Sequence, residues 1–250
     1  YIKLCKEKIP ADALILDCGC GIGTSSYLLS KEKFKLIGLD ISPMFISEAR
    51  KKYLTNQNLT FSIGDISRMS YSNNSFDAVC CYDALEHVTD VKMCLEEMSR
   101  VLKKEGILII FMPNHLDPTQ HLMQSIQWKT KDHYKPWDAK SRIEAIWQFM
   151  RTTYLAITKS IGINKKIYYL KPVLSEDETA CGEDFDATWL TNWFDIENIL
   201  KELGYSFEYT LPTISESKIM RMMVTLKVPK KLRLFCTKLR VPCIIVGRKE

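Results

Sequence analysis

Three apolar runs in this chain end in carboxylates, and the first is followed by closely spaced glycines. Leu14–Ser26 reads LILDCGCGIGTSS, placing Gly19, Gly21 and Gly23 just after Asp17. KLIGLD ends at Asp40, and LTFSIGD ends at Asp65. Glycine reaches backbone angles closed to other residues and leaves space for a ligand. A helix opening at Thr24 aims its first N–H groups into the same space. A dinucleotide fingerprint requires G-x-G-x-x-G; here the glycines alternate as G-x-G-x-G behind an acid. That acid is poor company for a pyrophosphate and suits a cationic amine. Asp40, about twenty residues after the first glycine, is placed to accept hydrogen bonds from two ribose hydroxyls. Asp65 is placed to accept from an adenine amine. The ligand these residues imply carries an amine, a ribose and an adenine, and no phosphates.

The elements that must position these acids alternate between strand and helix. Leu14–Asp17, Lys35–Asp40, Leu59–Ile63, Phe76–Cys81 and Ile107–Met112 read as strands. Thr24–Lys31 reads as a helix. Another starts at Pro43 behind a Ser42 N-cap and runs to about Tyr53. Val88–Leu102 is amphipathic, with Val91, Leu95, Met98 and Val101 on one face and Gly106 as its stop. Such alternation implies a parallel sheet with right-handed crossovers, whose ligands lie beyond the carboxyl ends of the strands. Arg142–Ile157 and Asp195–Leu203 read as further helices, the latter closed by Gly204. Tyr205–Leu211 and Cys243–Gly247 read as the last strands. The expectation is an α/β, Rossmann-like, mostly parallel seven-stranded sheet with helices on both faces. It would form a single domain over residues 1–250, with an insertion after the fifth strand over residues 115–186. The chain opens at Tyr1 rather than Met, so a trimmed sequence with an upstream helix outside it is expected.

Composition narrows the partners. An apolar fraction of 46% and a charged fraction of 26% are ordinary for a globular chain. A formal charge of +5 without a continuous basic stripe argues against nucleic acid. The nine cysteines show no zinc-ligand spacing. Several lie in apolar runs, where cysteine packs as a small hydrophobe, which fits a reducing, cytoplasmic compartment. No apolar run is long enough to span a membrane. Lys227–Arg240, KVPKKLRLFCTKLR, mixes bases with apolar residues; it reads as a surface helix or as peripheral contact with an anionic membrane.

Together, LDCGCGIG, IGLDIS, GDI and FDAVCCYDALEHV resemble the class I S-adenosylmethionine-dependent methyltransferases, over roughly Ala13–Asn114. The resemblance is to the small-molecule branch that includes the ubiquinone and menaquinone methylating enzymes. It implies that Asp17 and the loop of Gly19, Cys20, Gly21 and Gly23 hold the methionine moiety of S-adenosyl-L-methionine. It further implies that Asp40 binds ribose, that Ile41, Asp65 and Ile66 flank the adenine, and that Tyr82 lies near the methionine part. S-adenosyl-L-homocysteine would be the product.

His87, in DALEHV after the fourth strand, is the candidate general base; the alternative is that Glu86 and His87 cap the following helix or brace the loop. Asp83, Glu86 and His87, as D-x-x-E-H, are similar to an E-x-x-E-H segment that ubiquinone O-methyltransferases use to bind a divalent metal. Here the first acid is one carbon shorter, and no metal is assigned. Within the insertion, His115, His121, His133, Tyr134 and Trp137 could line a pocket or form a small core. Glu176–Glu178 and Glu183–Asp186 read as a solvated loop or as recognition of a cationic or hydroxyl-rich acceptor, such as an amino sugar. The expected function is methylation of a small-molecule or glycan-type acceptor, at oxygen. The alternatives are a quinone-precursor C- or O-methyltransferase and a non-catalytic protein that binds the cofactor. The oligomeric state is left open.

Overall fold

The strands are apolar at consecutive positions because helices cover both faces of the sheet they form. A computed structural model describes residues 1–118, 141–170, 188–207 and 243–250. Helix α1 (Ile2–Lys8) precedes β1 (Leu14–Cys18), α2 (Thr24–Ser30), β2 (Lys35–Asp40), α3 (Pro43–Lys52) and β3 (Leu59–Ile63). Then come β4 (Phe76–Tyr82), a 3₁₀ turn (Leu85–His87), α4 (Val91–Val101) and β5 (Leu102–Met112). Helices α5 (Arg142–Ser160) and α6 (Trp193–Glu202) and strands β6 (Tyr205–Phe207) and β7 (Cys243–Lys249) complete the described elements. The seven strands are ordered β3-β2-β1-β4-β5-β7-β6. The first five are parallel, and β7 runs antiparallel between β5 and β6. The mostly parallel, Rossmann-like sheet is therefore present.

Alternate side chains divide the core in two. Ile15, Leu36, Ala78, Cys80 and Ile109 pack beneath residues of α1, α2 and α3. Leu16, Cys18, Val79, Cys81 and Ile110 face α4 and α6. The winding direction reverses between β1 and β4, and that crevice is where such sheets accept ligands.

Some boundaries differ from the sequence reading for local reasons. Helix α1 was not assigned; it buries Cys5 and is short. Helix α4 starts at Val91 because the Asp90 carboxylate accepts the Met93 N–H, so Asp90 caps it rather than Glu86 or His87. Gly106 is not its stop. The helix ends at Val101, and β5 begins at once with a bulge, its pairing to β4 jumping from Phe76–Leu102 to Ala78–Ile107. Glu105 takes the left-handed backbone (φ 61°). A Cβ on Gly106 would lie 2.7 Å from the Lys103 carbonyl oxygen, so close packing is what requires glycine there. The expected strand beyond Phe207 lies outside the described residues, as do His121, His133, Tyr134, Trp137, Glu176–Glu178, Glu183–Asp186 and Lys227–Arg240.

The residues flanking the excursion after β5 are fastened to the sheet. Thr191 Oγ1 donates to the Pro113 carbonyl (2.7 Å), and the His115 N–H donates to the Thr191 carbonyl (2.9 Å). The Thr188 N–H donates to the Glu86 carbonyl (2.7 Å), and the fully buried Trp189 donates its indole N–H to the Leu85 carbonyl (2.7 Å). No helix among the described residues is long and apolar enough to cross a membrane.

Helix α5 is held to α6 by an ion pair taken wholly out of water. The Lys159 ammonium donates to the Asp195 carboxylate and to the Lys166 carbonyl (2.7 Å). Asn192 Nδ2 donates to the other Asp195 oxygen (2.8 Å). Burial raises the Asp195 carboxyl, while Lys159 and Asn192 pull it back. Removing one partner of such a pair leaves an uncompensated buried charge. Lys159→Met is expected to destabilise the fold by about 3–5 kcal/mol, and pairing it with Asp195→Leu should restore much of the loss. Urea unfolding of the two variants measures both.

Candidate active site

The register of the parallel strands brings the acids to one edge. Cys18 lies opposite Leu39 on β2 and Cys81 on β4, while Asp40 lies opposite Ile63. The residues just beyond, Gly19, Asp40, Gly64 and Asp83, therefore stand side by side along the carboxyl ends. A cavity of about 470 Å³ opens over them. Gly19, Gly21, Asp40, Ile41, Asp65, Ile66 and His87 all line it, so seven of the site residues expected from sequence come together.

The glycines serve two ends. Gly19 and Gly21 both adopt left-handed backbone, with φ of 70° and 53°. A Cβ on Gly19 would lie 2.3 Å from the Ala84 Cβ, so this residue lets the loops after β1 and β4 close on each other. A Cβ on Gly21 would meet nothing within 4 Å, so here the cradle faces open space. Gly23 instead packs against the Phe61 ring and does not line the cavity.

Asp40 binds the loop together. Its Oδ2 accepts the Gly21 N–H (2.8 Å) and its Oδ1 accepts the Ser42 N–H (2.9 Å). Ser42 in turn caps α3 through the Phe45 N–H. A carboxylate has about four lone-pair sites, so both oxygens can accept further bonds. Asp65 uses Oδ1 for the Ser67 N–H (2.7 Å) and hydroxyl (2.8 Å). Ile66 is buried, whereas Ile41 on the cavity rim is 68% exposed.

Asp17 lies behind the loop rather than in the cavity lining. Its Oδ2 accepts from the Ser25 and Ser26 hydroxyls (2.8 and 2.6 Å). Its buried Oδ1 has no hydrogen-bond partner among the described residues. Burial raises this carboxyl above the usual range against the two serine bonds that lower it, and nearby Asp40 raises it further. Tyr82 also lies off the cavity lining, stacked on Phe111 (ring centroids 4.7 Å apart) and near Tyr1 (4.8 Å).

The cysteines are interior packing. Cys5, Cys18, Cys20, Cys80, Cys81 and Cys94 are free and buried, and Cys94 also touches the cavity. Burial pushes the Cys18, Cys20 and Cys81 thiols up, away from the thiolate form.

The loop after β4 carries the groups nearest to chemistry. Asp83 takes the left-handed backbone (φ 47°), which aspartate tolerates, and lines the cavity with His87. Burial raises the Asp83 carboxyl, and His87 draws it back down. The Glu86 side chain is turned into the protein and its Oε1 lies 3.9 Å from His87 Nε2. Among the described residues, no group of three histidine, cysteine or acidic side chains is arranged to hold a metal ion. Sequence reasoning missed Thr89 and Asp90 as cavity lining. Their signal was their position past the carboxyl end of β4, where the expected helix start at Val88 had placed a helical face instead.

Comparison with known proteins agrees with this geometry. A family model described as a methyltransferase domain matches residues 16–110. The 2-methyl-6-phytyl-1,4-hydroquinone methyltransferase of Synechocystis sp. is 33% identical over 115 residues, or 46% of this chain and 36% of that protein. The demethylmenaquinone methyltransferase of Thermobifida fusca is 32% identical over 158 residues, or 62% of this chain and 66% of that one. The chain thus spans less than two thirds of the length of these curated relatives. An S-adenosylmethionine dependent methyltransferase from Mesorhizobium loti shares the fold, with a TM-score of 0.56 at 14% identity, covering 99% of this chain and 96% of that one. Residues 16–110 thus form a methyltransferase domain of the S-adenosylmethionine-dependent kind, and the chain is similar to the quinone methyltransferases.

Proposed function

We propose that this chain binds S-adenosylmethionine in the cavity and transfers its methyl group to a hydroxyl oxygen of a small-molecule acceptor. The observation that carries the reading is the sign of the cavity wall. Among the described residues it is lined by the carboxyl groups of Asp40, Asp65, Asp83 and Asp90, and by no lysine or arginine. Such a wall repels a pyrophosphate and attracts a sulfonium and an ammonium. The volume falls within the range of small-molecule sites. The open cradle at Gly21 and the unpartnered Asp17 Oδ1 fit the amino-acid end of the cofactor.

In this reading Asp40 receives the ribose hydroxyls on oxygens already oriented by Gly21 and Ser42. Ile66 and the exposed Ile41 sandwich the adenine beside Asp65, and Asp17 faces the methionine end from behind the glycine loop. Cys20 and Gly23 shape that loop, and Tyr82 supports it through its stack on Phe111. When bound, S-adenosylmethionine supplies a methyl group already activated by its positive sulfur. The protein's part is to align the acceptor, exclude water and take a proton. His87 is the residue placed to accept the hydroxyl proton as the new carbon–oxygen bond forms. The named activities of the relatives favour a quinone-type precursor as a second acceptor class, methylated at carbon or oxygen. A glycan-type acceptor rests only on the acidic stretches outside the described residues.

Calorimetry with S-adenosylmethionine and S-adenosylhomocysteine is expected to show binding of both, weakened at least about tenfold in Asp40→Ala; unchanged affinity in that variant would defeat the ribose assignment. Because burial raises the Asp17 carboxyl, the folded chain holds this proton more tightly than the unfolded one. Wild-type stability is therefore whole below the unfolded carboxyl range, about pH 4, and declines as pH rises toward the raised folded value. Asp17→Asn should be more stable than wild type near neutrality, lose that advantage toward about pH 4, and bind both ligands more weakly. Urea unfolding at the two pH values with parallel calorimetry checks this, and undiminished binding would remove Asp17 from the site. With an identified acceptor, His87→Ala should lower turnover at least about tenfold while cofactor affinity stays within about twofold. A rate within about threefold of wild type would rule out the base role, and no turnover by wild type on any acceptor would favour a binding protein.

A further inference from the structure

Among the described residues, helix α5 packs with one side and leaves the other bare. Ala145, Leu155, Ala156 and Lys159 are buried, with Leu155 and Ala156 packed against Leu116 and Phe194. On the opposite side Ile143, Ile146, Trp147, Met150, Tyr154 and Ile157 recur at helical spacing and are each 46–73% exposed. At 3.6 residues per turn these six fall within an arc of about 100°, along a helix roughly 28 Å long. No charged residue falls inside that arc, and exposed Ile161 and Ile163 extend it past the helix end. Scattered exposed hydrophobes need no explanation, but a continuous stripe of this size marks an interaction surface.

We infer that this face of α5 rests on the interface of an anionic lipid bilayer. The charge of the segment argues for that occupant. Residues 141–170 hold Arg142, Arg151, Lys159, Lys165 and Lys166 against a single acid, Glu144. Lys159 is spent on Asp195 and Lys165 lies 4.0 Å from Glu202, but Arg151 and Lys166 are exposed. A symmetric pairing of two copies through the stripe would bring these excess positive charges together. Anionic headgroups would neutralise them. Trp147 and Tyr154, apolar rings with a polar edge, suit the depth between headgroup and acyl chain. Helices with an apolar face and basic flanks lie in that plane without spanning. The last turns of α5 pack on Leu116, four residues past the carboxyl end of β5, so the stripe belongs to the end of the sheet where the cavity opens. The inference goes beyond the methyl-transfer reading and does not depend on it.

Co-sedimentation of the full chain with phosphatidylcholine vesicles, with and without phosphatidylglycerol, tests it. The wild type should pellet with the anionic vesicles, not with the neutral ones, and should be released by high salt. The Trp147→Ser, Tyr154→Ser double variant should lower the bound fraction at least about tenfold. Its substitutions are on the surface, so circular dichroism melting should match wild type. Arg151→Glu, which leaves the apolar stripe intact, should weaken binding several-fold. Equal binding of the double variant, equal binding to neutral vesicles, or no vesicle binding at all would overturn the inference. So would sedimentation velocity showing a wild-type dimer that the double variant abolishes, since a second copy would then own the face.

Discussion

One carboxylate holds the site in shape. Asp40 spends an oxygen on the Gly21 N–H and another on the Ser42 N–H, and thereby connects the loop after β1 to the start of α3. Without this acceptor two backbone donors at the cavity wall would lose their partner, a loss comparable to that of an unmade buried hydrogen bond. The carbonyl of Leu39, one residue earlier, accepts the Gly19 and Cys20 N–H groups, so the end of β2 grips the whole turn. Loop geometry and the proposed ribose recognition therefore draw on the same few atoms.

The site also concentrates negative charge where a stable protein would avoid it. Asp17 is fully enclosed, satisfied on one oxygen only, and kept above its normal titration range by burial. Asp83 combines burial with a backbone conformation that few side chains accept. Unfavourable features gathered at one end of an otherwise well-packed sheet are the usual mark of a functional site. The ion pair between α5 and α6 follows the opposite rule. Lys159 and Asp195 are just as deeply buried, yet each is matched and hydrogen-bonded, and they join helices instead of facing a cavity.

Much of this was legible in the amino-acid order because it is local. Strand ends are marked by an acid or glycine after an apolar run, so Asp40 and Asp65 could be placed at the sheet edge from spacing alone. Ser42 and Pro43 announce α3 within four residues. What escaped reading depends on partners distant in sequence. Trp189 carries no local signal of its role, yet its indole is buried and donates to the Leu85 carbonyl more than a hundred residues away. The β5 bulge arises from pairing with β4, and so Gly106 resembled a helix terminator. Helix α1 is too short for its periodicity to stand out. Asp17 was assigned to ligand on the strength of its neighbours, and only three-dimensional packing shows that it lies one layer behind the cavity.

The fastening at Pro113, His115 and Thr191 has a consequence for how such a protein diversifies. Because the chain is tied off where it leaves β5 and where it returns to α6, the intervening stretch is a cassette closed at its base. A change of length between those ties would leave the pairing register of β1–β5 as it stands.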